Sequence, residues 1–156
     1  MDVLTKEQRH KNMSRIRGKN TKPEEIVRKY LFSRGFRYRK NDRRYPGKPD
    51  IVLPKYKTVI FVNGCFWHRH EGCRYASVPK SRQDFWLPKL QGNVERDQRN
   101  IEALKKAGWS VIVIWECEIK SKKGRGDALS RLEQKIKGLS HLLKIKWMQQ
   151  PCFYLK

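Results

Sequence analysis

Acidic side chains are scarce in this sequence: 15 Asp+Glu stand against 37 Lys+Arg, a formal net charge of +22 over 156 residues. Such an excess destabilises a compact chain by self-repulsion unless a polyanion is bound, so it points to a nucleic-acid partner, with a generic ribosomal-type binder still open. No apolar run approaches the length of a membrane span, and the first residues lack the apolar stretch of a signal peptide. From this we expect a soluble, cytoplasmic protein with no membrane partner. Internal repeats and low-complexity segments are missing. Cysteine is sparse. In a cytosolic chain Cys65, Cys73, Cys117 and Cys152 read as metal ligands or buried thiols rather than disulfides. The length suits one domain with one core, residues 1–156.

The few carboxylates are unevenly spread. Residues 1–48 carry 16 basic and 5 acidic side chains, residues 49–118 carry 11 and 8, and residues 119–156 carry 10 and 2. Basic arms that grip phosphates around a centre that holds metal would have this distribution.

Thr5 and Gln8 form a capping-box pattern that opens a helix through about Arg17. Thr21-Lys22-Pro23-Glu24 is a second capping box, and the helix after it puts Ile26, Val27, Tyr30 and Leu31 on one face before Gly35. Strand signals follow at Phe36–Tyr38, Asp50–Leu53 and Thr58–Val62, with a turn over Pro54–Lys57. A loop rich in Cys, His and aromatic residues runs from Asn63 to about Arg82. The spacing of Val94, Ile101 and Leu104 predicts a helix from about Asn93 to Ala107, and Trp109–Trp115 reads as a buried strand. A charged stretch, 120–126, leads to a helix with Leu129, Leu132 and Ile136 on one stripe, and the tail beyond Ser140 is unplaced. This order implies an α/β (α+β) layered fold with a mixed sheet.

Cys65, His68, His70 and Cys73 put four metal-ligand side chains into nine residues, and Cys117 follows the last strand. A closed tetrahedral zinc site takes four such ligands: Cys65, Cys73, Cys117 and one of the two histidines. Asp50 opens an apolar run after Gly47-Lys48-Pro49, a poor place for a merely solvated charge, which makes it the candidate metal carboxylate, although a turn cap would also use an aspartate there. Glu24 is already explained as a capping residue and Asp97 as an acid near a helix start. His68 is a ligand, a packed histidine or a general base. Phe66-Trp67 and Phe85-Trp86 are adjacent aromatics beside basic residues, suited to stacking on bases or to packing under the zinc loop.

Asn12-Met13, Thr21–Glu24, Gly47–Asp50, Phe61–His68, Asn93–Asp97 and Trp109–Cys117 together resemble the very short patch repair (Vsr) endonucleases over residues 9 to 118. The Gly-Cys-Phe-Trp-His block carries most of that specificity. The resemblance implies a restriction-endonuclease-like core of the PD-(D/E)xK type and a Mg²⁺-dependent bacterial enzyme. It would nick duplex DNA 5′ to the thymine of a T:G mismatch. It further implies that Asp50 binds Mg²⁺ with the Val62 carbonyl, and that Glu24 contributes through the metal's water shell. His68 would activate the attacking water with Asp97 as its partner, and Cys65, His70, Cys73 and Cys117 would hold a structural zinc. Phe66, Trp67 and Trp86 would intercalate from the major groove, with Met13 and Ile16 pressing from the minor groove. A monomer is implied; repair or restriction-modification partners are left open.

The sequence departs from the family in three places. The superfamily's second acid-x-Lys falls on Phe61-Val62-Asn63, which has neither, and the family uses histidine chemistry instead. A second histidine often found near the metal is Asn63 here, and Gly72 is an extra residue before Cys73. Two other readings remain at this stage: a homing- or restriction-type endonuclease on matched DNA, and a non-catalytic zinc DNA-binding module.

Overall fold

The computed structural model describes residues 5–15 and 18–148. Its strands are β1 (Arg39–Lys40), β2 (Ile51–Leu53), β3 (Thr58–Asn63) and β4 (Ser110–Trp115). β1 and β3 both pair antiparallel with β2, and β3 pairs parallel with β4, so the sheet is mixed in the order β1-β2-β3-β4. The alternation of side chains along a strand sorts them onto two faces. Ile51, Leu53, Ile60, Ile112 and Ile114 pack with Val27 and Leu31 of α2 (Lys22–Ser33), Ile119 of α4 (Glu116–Lys120), and Leu129, Leu132 and Ile136 of α5 (Lys122–Met148). Val52 and Val59 face the other way. There Leu104 of α3 (Gln83–Lys106) closes a smaller core with Tyr45, Phe61, Trp109 and Val111. Helices thus cover both faces of the sheet, as the α+β layered class requires. No helix among the described residues is long and apolar enough to cross a membrane.

Both capping boxes form. Thr5 and Gln8 exchange bonds of 3.0 and 3.2 Å at the start of α1 (Lys6–Ser14), and Thr21 and Glu24 do the same at α2. Several expected bounds shift, for identifiable reasons. Phe36–Tyr38 is not a strand. Gly35 takes φ +83° and the Phe36 N–H bonds the Leu31 carbonyl at 3.0 Å, so Phe36 locks the end of α2 and pairing starts only at Arg39. α3 begins at Gln83, ten residues before the expected Asn93, and accommodates Pro88 within its early turns. On α3 Leu104 is buried, but Val94 and Ile101 are only half-buried. In β4 only Ile112 and Ile114 are buried. The stretch 120–126 is mostly helical: α4 was not anticipated, α5 starts at Lys122, and it continues to Met148 through the first part of the unplaced tail. Cys152 lies outside the described residues.

One buried polar cluster fastens α5 to α2. The Glu133 carboxylate accepts from Tyr30 Oη at 2.8 Å, Arg34 Nε at 2.8 Å and Lys137 Nζ at 2.6 Å. These partners, Arg34 first, hold its carboxyl down from 4.5 to about 2. The stabilisation is therefore complete above about pH 4.5 and lost as pH falls through about 2. Glu133→Gln is expected to lower the melting temperature at pH 7, with the gap to the parent closing as melts are taken toward pH 2. A gap that does not change with pH would show that the ionised carboxylate contributes nothing.

Candidate active site and metal cluster

A cleft of about 1340 Å³ opens on the α3 side of the sheet. Asp50, Val62, Asn63, His68 and Asp97 line it, and so do the basic residues Lys19, Lys40, Arg43, Lys48 and Arg96. Asp50 stands two residues before Val52, and by alternation it shares that residue's face, toward α3. The preceding turn allows this approach. Gly47 has φ +73°, and a Cβ there would lie 3.0 Å from Asn100 Nδ2 on α3, so both backbone angle and space require glycine.

The Asp50 Oδ2 accepts the Val62 N–H at 2.7 Å, just past the last β2–β3 pair, Ile51 with Ile60. Along a strand a residue's N–H and C=O point to the same side, so the Val62 carbonyl is directed toward Asp50 as well. Among the described residues no hydrogen bond reaches Asp50 Oδ1, which leaves that oxygen to the cleft. Burial pushes the Asp50 carboxyl up to about 6, against the pull of the Val62 N–H; Glu24 adds to the rise, while Arg28 and His68 oppose it. One free carboxylate oxygen beside a backbone carbonyl, in a cleft open to water and phosphate, fits Mg²⁺, which retains several waters and uses few protein ligands.

His68 follows β3 by five residues, and its Nδ1 pairs with Asp97 Oδ2 on α3. The pair fixes the ring and leaves Nε2 for a proton transfer. Glu24 is 3% exposed and its oxygens are occupied: Oε1 by the Thr21 N–H and hydroxyl, Oε2 by the Asn20 N–H and Arg28. Glu24 thus caps α2 and also lines the cleft.

Cys65, His70, Cys73 and Cys117 converge with their ligand atoms within 4.8 Å of one another. His70 Nδ1 lies 3.6 Å from Cys65 Sγ and 3.3 Å from Cys117 Sγ. A tetrahedral ion bonded at about 2.3 Å to sulfur and about 2.0 Å to nitrogen holds such atoms about 3.5 Å apart, so the two spacings from His70 to sulfur suit zinc. The His70 ring stacks on Trp115 at 4.1 Å, which sets its plane. Gly72 takes φ +68°, so the extra residue turns the chain before Cys73 and does not disperse the ligands. Of the two histidines left open by spacing, His70 joins the cluster and His68 faces the cleft.

The aromatics pack on one another. Phe66 meets Trp67 at 5.1 Å and Trp86 at 5.3 Å, and Trp86 meets Phe85 at 5.2 Å, all edge to face. Phe66, Trp67 and Trp86 are half-buried and Phe85 is exposed. Met13 is 41% exposed on α1, and Ile16 lies outside the described residues.

Sequence reasoning passed over two residues that line the cleft, Asn100 and Glu116, and two that bond to lining residues, Asn93 and Arg28. Asn93, whose Nδ2 donates to the Trp67 carbonyl at 3.0 Å, and Asn100 share a helical face with Asp97, a polar stripe visible as spacing of four and three. Glu116 lies across from Gly64. Arg28 carried no signal, because a basic residue on a helix reads as solvated surface.

A carboxylate pinned at a strand end, a histidine paired with an aspartate and a basic cleft wall are the equipment of a DNA endonuclease. The comparisons agree. The family model described as DNA mismatch endonuclease Vsr matches residues 1–74. The chain is 54% identical to the Type II nicking enzyme V.NmeAIP of Neisseria meningitidis serogroup A, over 87% of this chain and 96% of that protein. It is 42% identical to the DNA mismatch endonuclease Vsr of Escherichia coli K12, over 88% of each. Identity to the Type II nicking enzyme V.XorIIP of Xanthomonas oryzae is 50%, over 76% of this chain and 86% of that protein. The chain belongs to the Vsr DNA mismatch endonuclease family.

Proposed function

We propose that this protein is a Mg²⁺-dependent endonuclease that nicks duplex DNA 5′ to the thymine of a T:G mismatch. The observation that carries this reading is the cleft itself, where Asp50, the His68–Asp97 pair and basic side chains line one opening. Asp50 and the Val62 carbonyl would hold Mg²⁺, with Glu24 contributing through the water around it. Bound there, the ion supplies charge neutralisation at the scissile phosphate. His68 takes the proton of the attacking water at Nε2, and Asp97 keeps its ring oriented and stabilises it when charged. Lys19, Lys48 and Arg96 hold the flanking phosphates.

Zinc at Cys65, His70, Cys73 and Cys117 holds the loop that carries Phe66, Trp67 and His68. Phe66, Trp67 and Trp86 wedge beside the mispair from the major groove, which costs less there because a T:G pair stacks poorly. Met13 and Ile16 press from the minor-groove side. The chain acts as one domain and as a cytoplasmic, DNA-associated monomer; residues 1–20 and the basic segment 119–156 serve as arms on the phosphate backbone.

The test is a nicking assay with Mg²⁺ on labelled duplexes carrying one T:G mismatch in varied flanking contexts, with matched duplexes alongside. A single nick 5′ to the mispaired thymine, absent from matched DNA, is expected. Cutting of matched sites at equal rates would replace the mismatch reading with a restriction- or homing-type activity.

A further inference from the structure

We propose that Arg28 is a positioning residue for strand nicking: its guanidinium ties the Asp50 main chain to the first turns of α2 and so fixes where the Asp50 carboxylate stands in the cleft. The inference rests on the reading of Asp50 as the carboxylate that serves the reaction.

Arg28 lies one turn after Glu24 and is 6% exposed. Its Nη2 donates to Glu24 Oε2 at 2.8 Å, to the Asp50 carbonyl at 3.1 Å and to Asn41 Oδ1 at 3.2 Å, and its Nη1 donates to Asn20 Oδ1 at 2.8 Å. One side chain thus gathers the loop before α2, the turn after β1 and the residue that opens β2. The planar fork of arginine suits this gathering, whereas a lysine ammonium acts as a point charge.

Asp50 needs such a grip. It lies outside β2, after Gly47 at φ +73° and Lys48 at φ +50°, where the chain has just turned. Its carbonyl otherwise receives one long backbone bond, from the Asn41 N–H at 3.3 Å. Arg28 at the carbonyl and Val62 at Oδ2 hold the residue at both ends, and no hydrogen bond among the described residues takes Oδ1. Arg28 also offsets a like-charge neighbour: Glu24 pushes the Asp50 carboxyl up, and the Arg28 guanidinium pulls it down.

Stability is a poor explanation for this arrangement. A buried ion pair seldom outperforms an apolar side chain of similar volume, and the Arg28 Nε–H is buried without a partner among the described residues. A residue whose burial is costly and whose bonds converge on a reactive carboxylate's backbone is explained by placement.

Arg28→Met and Arg28→Lys test this on the full chain, with Arg34→Met as a control. Arg34→Met breaks the ion pair to Glu133 at the other end of α2 and is expected to lower the melting temperature without changing the nicking rate. For Arg28→Met, single-turnover nicking of the duplex that the parent cuts is expected to fall about 100-fold, the loss that follows from a displacement of about 1 Å at a reacting centre. Its DNA affinity is expected to stay near the parent's, while its melting temperature falls because Glu24 is left buried without its partner. Arg28→Lys should lose about tenfold. The Val62 amide in ¹⁵N–¹H spectra reads the carboxylate's position without DNA or metal: it should move upfield and exchange faster in both variants.

An Arg28→Met rate within about threefold of the parent, a loss carried by DNA affinity alone, or an unmoved Val62 amide would each overturn the proposal. If Arg28→Met does not fold, Arg28→Lys decides by the same criteria. If the parent nicks no duplex, the functional reading fails, and the Val62 amide still decides whether Arg28 holds Asp50.

Discussion

Asp50→Asn is expected to lower nicking about a thousandfold, by removing the carboxylate charge proposed to hold the metal, a contribution of several kcal/mol. Binding to duplex DNA should change little, because affinity comes from the basic side chains around the cleft. The amide preserves an acceptor for the Val62 N–H, so the local backbone is kept. The same substitution should make the free protein more stable at neutral pH. Burial raises the Asp50 carboxyl from 3.8 to about 6, which means the folded state binds the proton more tightly than the unfolded chain does. The ionised carboxylate therefore costs the fold on the order of 2–3 kcal/mol above about pH 6, and this cost disappears as pH falls from about 6 to about 4.

Urea melts at pH 8 and pH 4 would show the gain for Asp50→Asn at the first pH and its loss at the second. A loss of stability at pH 8 would show that Asp50 is structural. Parental nicking would remove it from the reaction. In the parent, nicking should fall about tenfold per pH unit below about pH 6, as Asp50 takes up its proton. Raising Mg²⁺ should move that limb to lower pH, since metal and proton compete for one carboxylate.

The residues that make this site were legible to different degrees. Asp50 was visible because a charge that opens an apolar strand needs a reason. The Cys/His cluster was visible as composition, yet spacing alone could not choose between His68 and His70. The choice is made by β3 and α3: the loop turns at Arg69, φ +47°, so that His68 meets Asp97 while His70 stacks on Trp115. Local rules predicted the α2 cap because a capping box lies within four residues. They failed at the start of α3, whose first ten residues, Pro88 among them, precede the expected Asn93. Phe36-Arg37-Tyr38 read as strand because it alternates, but the burial of Phe36 serves a helix end. Arg28 was the least legible. Its partners outside the helix lie 8, 13 and 22 residues away, so only the assembled fold gives it a role beyond pairing with Glu24.

Cys117→Ser should be the most disruptive single change in the chain, with loss of bound zinc, a collapse in thermal stability and loss of nicking together. Three of the four ligands sit on the loop between β3 and α3, whose regular structure among the described residues is a single short 3-10 turn, Arg74–Ala76. Cys117, just after β4, fastens that loop to the sheet. In the absence of metal, burial and the neighbouring Cys65 and Cys73 thiols push the Cys117 thiol up to about 12, so three thiolates cannot coexist there without a cation. Metal uptake must then release protons, to be seen as a buffer-dependent heat in calorimetry. Structural zinc contributes about 10 kcal/mol or more in comparable sites, as much as the whole stability of a typical domain. The loop carries His68, Phe66 and Trp67, so activity should fall with the fold. Zinc analysis of the parent should give about one ion per chain. A Cys117→Ser protein that melts with the parent and nicks at its rate would show that the four side chains are packed thiols and a stacked imidazole, and that the loop is held by its aromatic cluster alone.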